Sequence, residues 1–203
     1  MDTPDLGEDI PYRLIRGLGK GSIADVFLAE ERSTGGKVVV KILRVPLSQA
    51  ELEAFLRYVQ ALSQVLHPHL LRILNYGSTA QRPFLVTEYA PQGSLRQRVL
   101  PGTRLKPELV LSYVKQVADA LHHLHQQHIL HLSLKPENLL IGQSGAILLS
   151  DAGLLAALPG AHTQFSADLA KSSLYLAPEQ IRGAATAASD QYALGCVVYE
   201  WLS

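Results

Sequence analysis

The chain has 203 residues, enough to bury one sizeable core or two small lobes. At 47% hydrophobic and 18% charged residues it is not a disordered chain. Its 18 basic and 18 acidic side chains cancel, which argues against nucleic acid or an anionic membrane surface as a partner.

Residues 1–11 read as a loose leader, acidic and without the apolar core of a signal peptide. From Tyr12 to Leu43 the pattern is that of strands, punctuated by Gly17, Gly19 and Gly21 and by a turn at Ser33-Thr34-Gly35-Gly36. VVVKIL (38–43) is a buried-strand run with Lys41 in its middle. A helix starts at Ser48, which forms a capping box with Glu51. It carries Leu52, Phe55, Leu56, Val59, Leu62 and Leu66 at helical spacing and ends at Pro68. LLRILNYG (70–77) and PFLVTEY (83–89) are two further strands.

Beyond Gly93 the chain turns helical. Residues 107–127 predict a long helix with Leu109, Val110, Tyr113, Val117, Ala120, Leu121 and Leu124 on one side. Short apolar segments at 139–141 and 146–149 flank Gly142–Gly145 as a small hairpin. A loop-like stretch, 151–176, precedes a last helix over about 189–202. The apolar run YALGCVVYEWL (192–202) is too short for a membrane span. It closes the chain with nothing after it to pack against, which reads as a fragment. The single cysteine, Cys196, cannot form an internal disulfide and fits a reducing, cytoplasmic compartment.

Three motifs carry chemistry. The glycines of Gly19-Lys20-Gly21-Ser22-Ile23-Ala24 let the backbone approach phosphates closely. A dinucleotide-binding turn would have to open a helix here, whereas ADVFLAEE alternates like a strand. A Walker-type loop fails because Gly21 follows Lys20 where Ser or Thr is needed. A plain hairpin turn remains the competing reading at this point. Lys41 is costly in a buried strand unless it meets an anion; the bland alternative is a strand edge facing water. Asn138 and Asp151 are oxygen ligands of the kind Mg²⁺ prefers beside phosphates, although either alone is an ordinary turn former. His122, His123, His125, His128 and His131 read as a polar helix face more than a metal site, since no Cys or spaced carboxylate completes a tetrahedral set.

Together, over about residues 12–203, these motifs resemble the eukaryotic-type protein kinase family, most closely the bacterial Ser/Thr kinases. Gly19-x-Gly21-x-x-Ala24-x-Val26 resembles the glycine-rich loop and Val38-Val39-Val40-Lys41 the V-A-I-K strand. Glu88-Tyr89-Ala90 is similar to the hinge, with Thr87 as gatekeeper. HLSLKPEN (131–138) stands for H-R-D-L-K-P-E-N, Asp151-Ala152-Gly153 for D-F-G and Ala177-Pro178-Glu179 for A-P-E; Ser189-Asp190 begins helix F. The resemblance implies an α+β, bilobal protein-kinase-like fold. A small β-rich N-lobe with one helix C and the hinge would span 12–90. A larger helical C-lobe, truncated after helix F, would span 91–203.

Four positions depart from the family. Ser133 stands where the catalytic Asp accepts the substrate proton, a function a neutral serine cannot perform. Glu137 is a possible substitute, although that position faces away from the nucleophile in the family. Tyr58 stands where helix C offers a glutamate to Lys41; Glu51 lies two turns earlier, about 10 Å away by helix rise. Leu132 replaces the Arg that pairs with a phosphorylated activation loop, although Thr163, Ser166, Ser172 and Ser173 lie in the corresponding segment. Ala152 replaces the Phe of D-F-G, leaving a space for neighbours such as Leu62 to fill.

The resemblance implies ATP held by Leu18, Gly19, Lys20, Gly21, Val26, Lys41, the backbone of Glu88 and Ala90, and Leu140. Mg²⁺ would sit on Asn138 and Asp151, with Lys135 as the surviving catalytic-loop lysine. Val39 adds two methyl groups where the family favours Ala against adenine. The expected function is an ATP-binding pseudokinase with a signalling or scaffolding role towards a protein partner. One alternative is a weakly active Ser/Thr kinase acting on a protein substrate; another is an incomplete kinase fragment or nucleotide-free scaffold.

Overall fold

A computed structural model describes residues 10–21, 23–44, 47–79, 82–158 and 173–203; the side chains of Leu155 and Ser173 are not described. The chain forms two compact units. The first comprises residues up to Gln64 together with Arg72–Tyr89, and the second Val65–Leu71 with Ala90–Ser203. The segment 65–71 therefore groups with the second unit, although in sequence it lies within the 12–90 half.

In the first unit, β1 (Tyr12–Lys20), β2 (Ala24–Glu31), β3 (Lys37–Leu43), β4 (Ile73–Thr79) and β5 (Arg82–Glu88) form one antiparallel sheet in the order β1-β2-β3-β5-β4. The β1–β2 register slips between Leu14 and Arg16 and again between Gly17 and Gly19. Such irregularities bend and twist a strand. One sheet face buries Phe27, Ala29, Val38, Val40, Ile42, Phe84 and Val86 beneath Ile10 and Tyr12. Helix α1 (Gln49–Ser63) buries Leu52, Phe55, Val59 and Leu62. Its start is set as expected: the Ser48 hydroxyl accepts from Glu51 N–H, and Glu51 Oε2 accepts from Ser48 N–H at 2.8 Å. The helix stops at Ser63, before Pro68, so Leu66 lies outside it and is exposed. Residues from Val65 to Leu71 group with the second unit.

The second unit is built on α3 (Pro107–Gln126) and the last helix, α5 (Ala187–Leu202), with two short helices before them in chain order, α2 (Leu95–Arg98) and α4 (Pro178–Ile181) respectively. A hairpin of β6 (Leu139–Ile141) and β7 (Ile147–Leu149) completes it. Val110, Val117, Ala120, Leu121 and Leu124 of α3 pack with Val197 and Trp201 of α5 and with Leu139, Ile147 and Leu149 of the hairpin. Tyr113 packs partly against this core, edge-on to Trp201, whereas Leu109 is exposed on the first turn of α3. Helix α5 starts two residues earlier than its sequence suggests, because Thr186 and Ser189 form a capping box. Its outer side leaves Tyr192, Tyr199 and Leu202 exposed. No described helix is long and apolar enough to cross a membrane.

Candidate functional site

In the first unit, strand pairing places Gly19 opposite Val26, Val26 opposite Lys41 and Lys41 opposite Leu85. Residues paired across antiparallel strands project to the same face, so these four form one transverse row. Val39 and Thr87 form the neighbouring row on that face, two residues along each strand. Both are buried, and Lys41 itself is buried at 8% exposure. The turn between β1 and β2 is closed by Gly21 N–H donating to Ala24 O at 2.8 Å. Arg44 donates to Gly21 O at 2.6 Å. A side chain at Gly21 would press on the Ala24 carbonyl at 3.3 Å, so glycine lets that turn stay tight. Leu18 and Lys20 lie on the same strand; Ser22 falls outside the described residues.

Tyr58 lies on α1 between the buried positions 55, 59 and 62 and is half-buried, so burial holds its hydroxyl above the usual phenol range. Glu51 cannot replace the missing helix glutamate where it stands. Its carboxylate caps the helix, and hydrogen bonds from Ser48 hold it below the ordinary carboxylate range. At the end of β5, Glu88 N–H donates to Arg72 O at 3.1 Å, and the Glu88 carboxylate accepts from Arg72 N–H at 3.0 Å. Ala90 is buried at the start of the second unit.

The second unit holds the loop 131–138. Asp190, near the start of α5, is 1% exposed. It accepts from the N–H of His131 and of Leu132, both at 2.8 Å, and contacts His125 Nε2 at 2.8 Å. Leu132 sits in the left-handed region at φ 63°, which costs a residue with a Cβ about 1–2 kcal/mol. Asp151 is also left-handed, at φ 63°. Ser133 Oγ donates to Asp151 O at 3.4 Å, and Asn138 Nδ2 donates to Ser133 O at 2.7 Å and to Ser133 Oγ at 3.3 Å. With its nitrogen committed in this way, the atom Asn138 has for a ligand is the carbonyl oxygen, the donor a hard cation takes. Lys135 and Leu140 are half-buried on the same loop and the strand after it. Ala152 packs partly against the core of this unit, and Leu62 belongs to the first unit.

Glu137 is not poised as a substitute base. Arg96 of α2 donates to its carboxylate at 2.9 Å. Arg96 also pairs with Glu200 of α5, and Tyr175 OH bonds to both. Hydrogen bonding to Glu200 and Glu137 keeps the Arg96 guanidinium charged despite burial. Burial pushes Glu200 up, but the bonds from Arg96 and Tyr175 outweigh it and leave it low. No motif announced this cluster, because its bonded members are 25 to 104 residues apart in sequence. Glu179 finds a neutral donor, Ser189 Oγ at 2.6 Å.

The histidines do not converge on a metal. Among the described residues no group of three His, Cys, Asp or Glu side chains could hold an ion. His122 contacts Gln126, His123 stacks on His67, and His131 is fully buried. Thr163, Ser166 and Ser172 fall outside the described residues, as does the side chain of Ser173.

Burial lowers the pKa of His131 despite Asp190 and Asp151, and that of His67 despite Asp119, with His123 and His69 adding to the depression at His67. Both imidazoles are therefore neutral in the fold at pH values where the unfolded chain, near 6.5, already binds a proton. Stability should be full above about pH 7 and fall as the pH drops through about 6.5 and below. A series of urea midpoints from pH 7.5 to 5.5 checks this, and His67→Phe, which keeps a ring against His123, should shrink the loss.

A protein kinase domain model matches residues 12–203. The chain is 34% identical over 195 residues to the serine/threonine-protein kinase PrkC of Bacillus subtilis (strain 168), covering 95% of this chain and 30% of that protein. It is 34% identical over 194 residues to an Aurora kinase of Schizosaccharomyces pombe, covering 94% of this chain and 54% of that one. The crystal structure of Rad53 residues 1–466 in complex with AMP-PNP superposes with a TM-score of 0.78 at 27% identity, over 95% of this chain and 48% of that one. The chain thus spans about a third to a half of the length of these relatives. Family membership implies ATP and a divalent metal as ligands. With a sheet unit and a helical unit in the expected order and a protein kinase domain model matching residues 12–203, the chain belongs to the protein kinase family.

Proposed function

We propose that this domain binds Mg·ATP and transfers phosphate at or near background, offering a nucleotide-responsive surface to a protein partner. The observation that carries the reading is the state of the acidic groups. Ser133 replaces the base, and its hydroxyl bonds to Asp151 O and Asn138 Nδ2. Glu137 is bound to Arg96 and Glu51 caps α1. The nucleotide groups are retained. Leu18, Gly19, Lys20, Gly21, Val26 and Lys41, with the Glu88 and Ala90 backbone and Leu140, would hold ATP. Asn138 and Asp151 would hold Mg²⁺, and Lys135 would face the transferred phosphate. The metal supplies charge neutralisation on the phosphates; the chain supplies position and a buried cation.

Steady phosphate incorporation into a protein substrate, abolished by Lys41→Ala, would overturn the inactive reading. The runner-up is a slow Ser/Thr protein kinase, favoured by the names of its relatives. Mg·ATP at a hundred times its Kd should stabilise the fold by about 2.7 kcal/mol. Thermal melting with and without nucleotide should show the gain in the wild type and its loss in Asp151→Ala.

A further inference from the structure

We propose that Gln180, on the short helix α4 directly after Ala177-Pro178-Glu179, is a positioning residue for Asn138. The inference rests on the nucleotide-binding reading for its purpose but not for its geometry. Leu132 holds a left-handed backbone at φ 63° without being glycine, so something must hold the turn. Asp190 takes the Leu132 N–H. Gln180 takes the other side: its Nε2 donates to Leu132 O at 2.7 Å, and the residue is 9% exposed.

That carbonyl belongs to the same peptide unit as Ser133 N–H, which donates to His131 Nδ1 at 3.3 Å. Both ends of the 132–133 peptide are therefore tied, and the plane cannot flip without breaking two hydrogen bonds. The next carbonyl, Ser133 O, is the one that accepts from Asn138 Nδ2 at 2.7 Å. Gln180 thus fixes the peptide whose orientation sets where Ser133 O points, and Ser133 O fixes the Asn138 amide. A helical segment more than 40 residues downstream in sequence sets the metal-facing oxygen of the loop.

The test pairs two substitutions. Gln180→Met keeps length and volume but removes the donor, leaving a buried carbonyl unpaired. In the nucleotide-free protein, amide exchange at Ser133 and Asn138 should accelerate about tenfold. The affinity for Mg·ATP should fall about tenfold, while that for ATP in EDTA stays within about twofold. Leu132→Gly added to Gln180→Met should recover most of both effects, because glycine removes the roughly 5–30-fold local bias against the left-handed turn. A role in packing alone predicts the opposite, since the glycine would only add to the damage. Unchanged exchange in Gln180→Met, or no recovery in the double variant, overturns the proposal. The urea midpoint read from Trp201 separates local opening from global loss; a tenfold exchange increase at every protected amide also overturns it. If the wild type binds no nucleotide, the exchange data alone decide, so the positioning role and the nucleotide reading fail separately.

Discussion

Asp190→Ala should destabilise the second unit by about 3–5 kcal/mol, because it strands two buried backbone N–H groups and removes a buried anion from its partner. The carboxylate is 1% exposed and serves His131 N–H, Leu132 N–H and His125 Nε2 at once. An unsatisfied buried donor costs about 1–3 kcal/mol, and two of them account for most of the loss. Asp190→Asn keeps one accepting oxygen, so it should lose about half as much. Urea unfolding followed by tryptophan fluorescence suits the measurement, since Trp201 is the single tryptophan and lies on the same helix as Asp190. Such a loss is a large share of the 5–15 kcal/mol that holds a typical fold. A loss below about 1 kcal/mol would mean that the loop relaxes to satisfy its N–H groups elsewhere. The clamp would then not be what holds Leu132 left-handed.

Ser133→Asp should raise phosphate transfer by about 10²–10⁴-fold over the wild type, the usual worth of a positioned general base. The wild-type hydroxyl is neutral and already bonded, while the nearest alternative carboxylate on the loop, Glu137, is engaged by Arg96. Asn138 and Asp151 stay in place in the variant, so nucleotide binding should change little. Radiolabel incorporation into a generic basic protein, with Lys41→Ala as the blank, reads the gain. A flat response in a variant whose melting point still rises with Mg·ATP would place the defect at Tyr58, which stands on α1 where the family has a glutamate. The combined Ser133→Asp, Tyr58→Glu variant would then be the one to gain.

Local chemistry was readable where a short stretch decides it. The capping box at Ser48 and Glu51, the strands around Val38–Leu43 and the hairpin about Gly142–Gly145 are set by residues within a few positions of one another, and the structure has them. Helices α1 and α3 were also readable, but their edges were not: Leu66 after α1 and Leu109 on α3 fit a helical stripe, yet each is exposed. The four-residue helices α2 and α4 gave no periodic signal, being about one turn each.

The candidate site divides in the same way. The family, and the proposed absence of its base and helix glutamate, were legible in residue types at Lys41, Tyr58, Ser133, Asn138 and Asp151 read in order. Which acidic groups are already engaged does not. Glu137 is tied to Arg96, Glu179 to Ser189 and the loop backbone to Asp190 and Gln180, across separations of 10 to 59 residues. Hydrogen-bond partners depend on distances of about 3 Å between atoms that sequence separation does not constrain. The order of residues alone therefore determined the family and which residue types stand at its motif positions. Only the folded backbone decided which side chains hold the loop, because it brings atoms distant in sequence within hydrogen-bond reach.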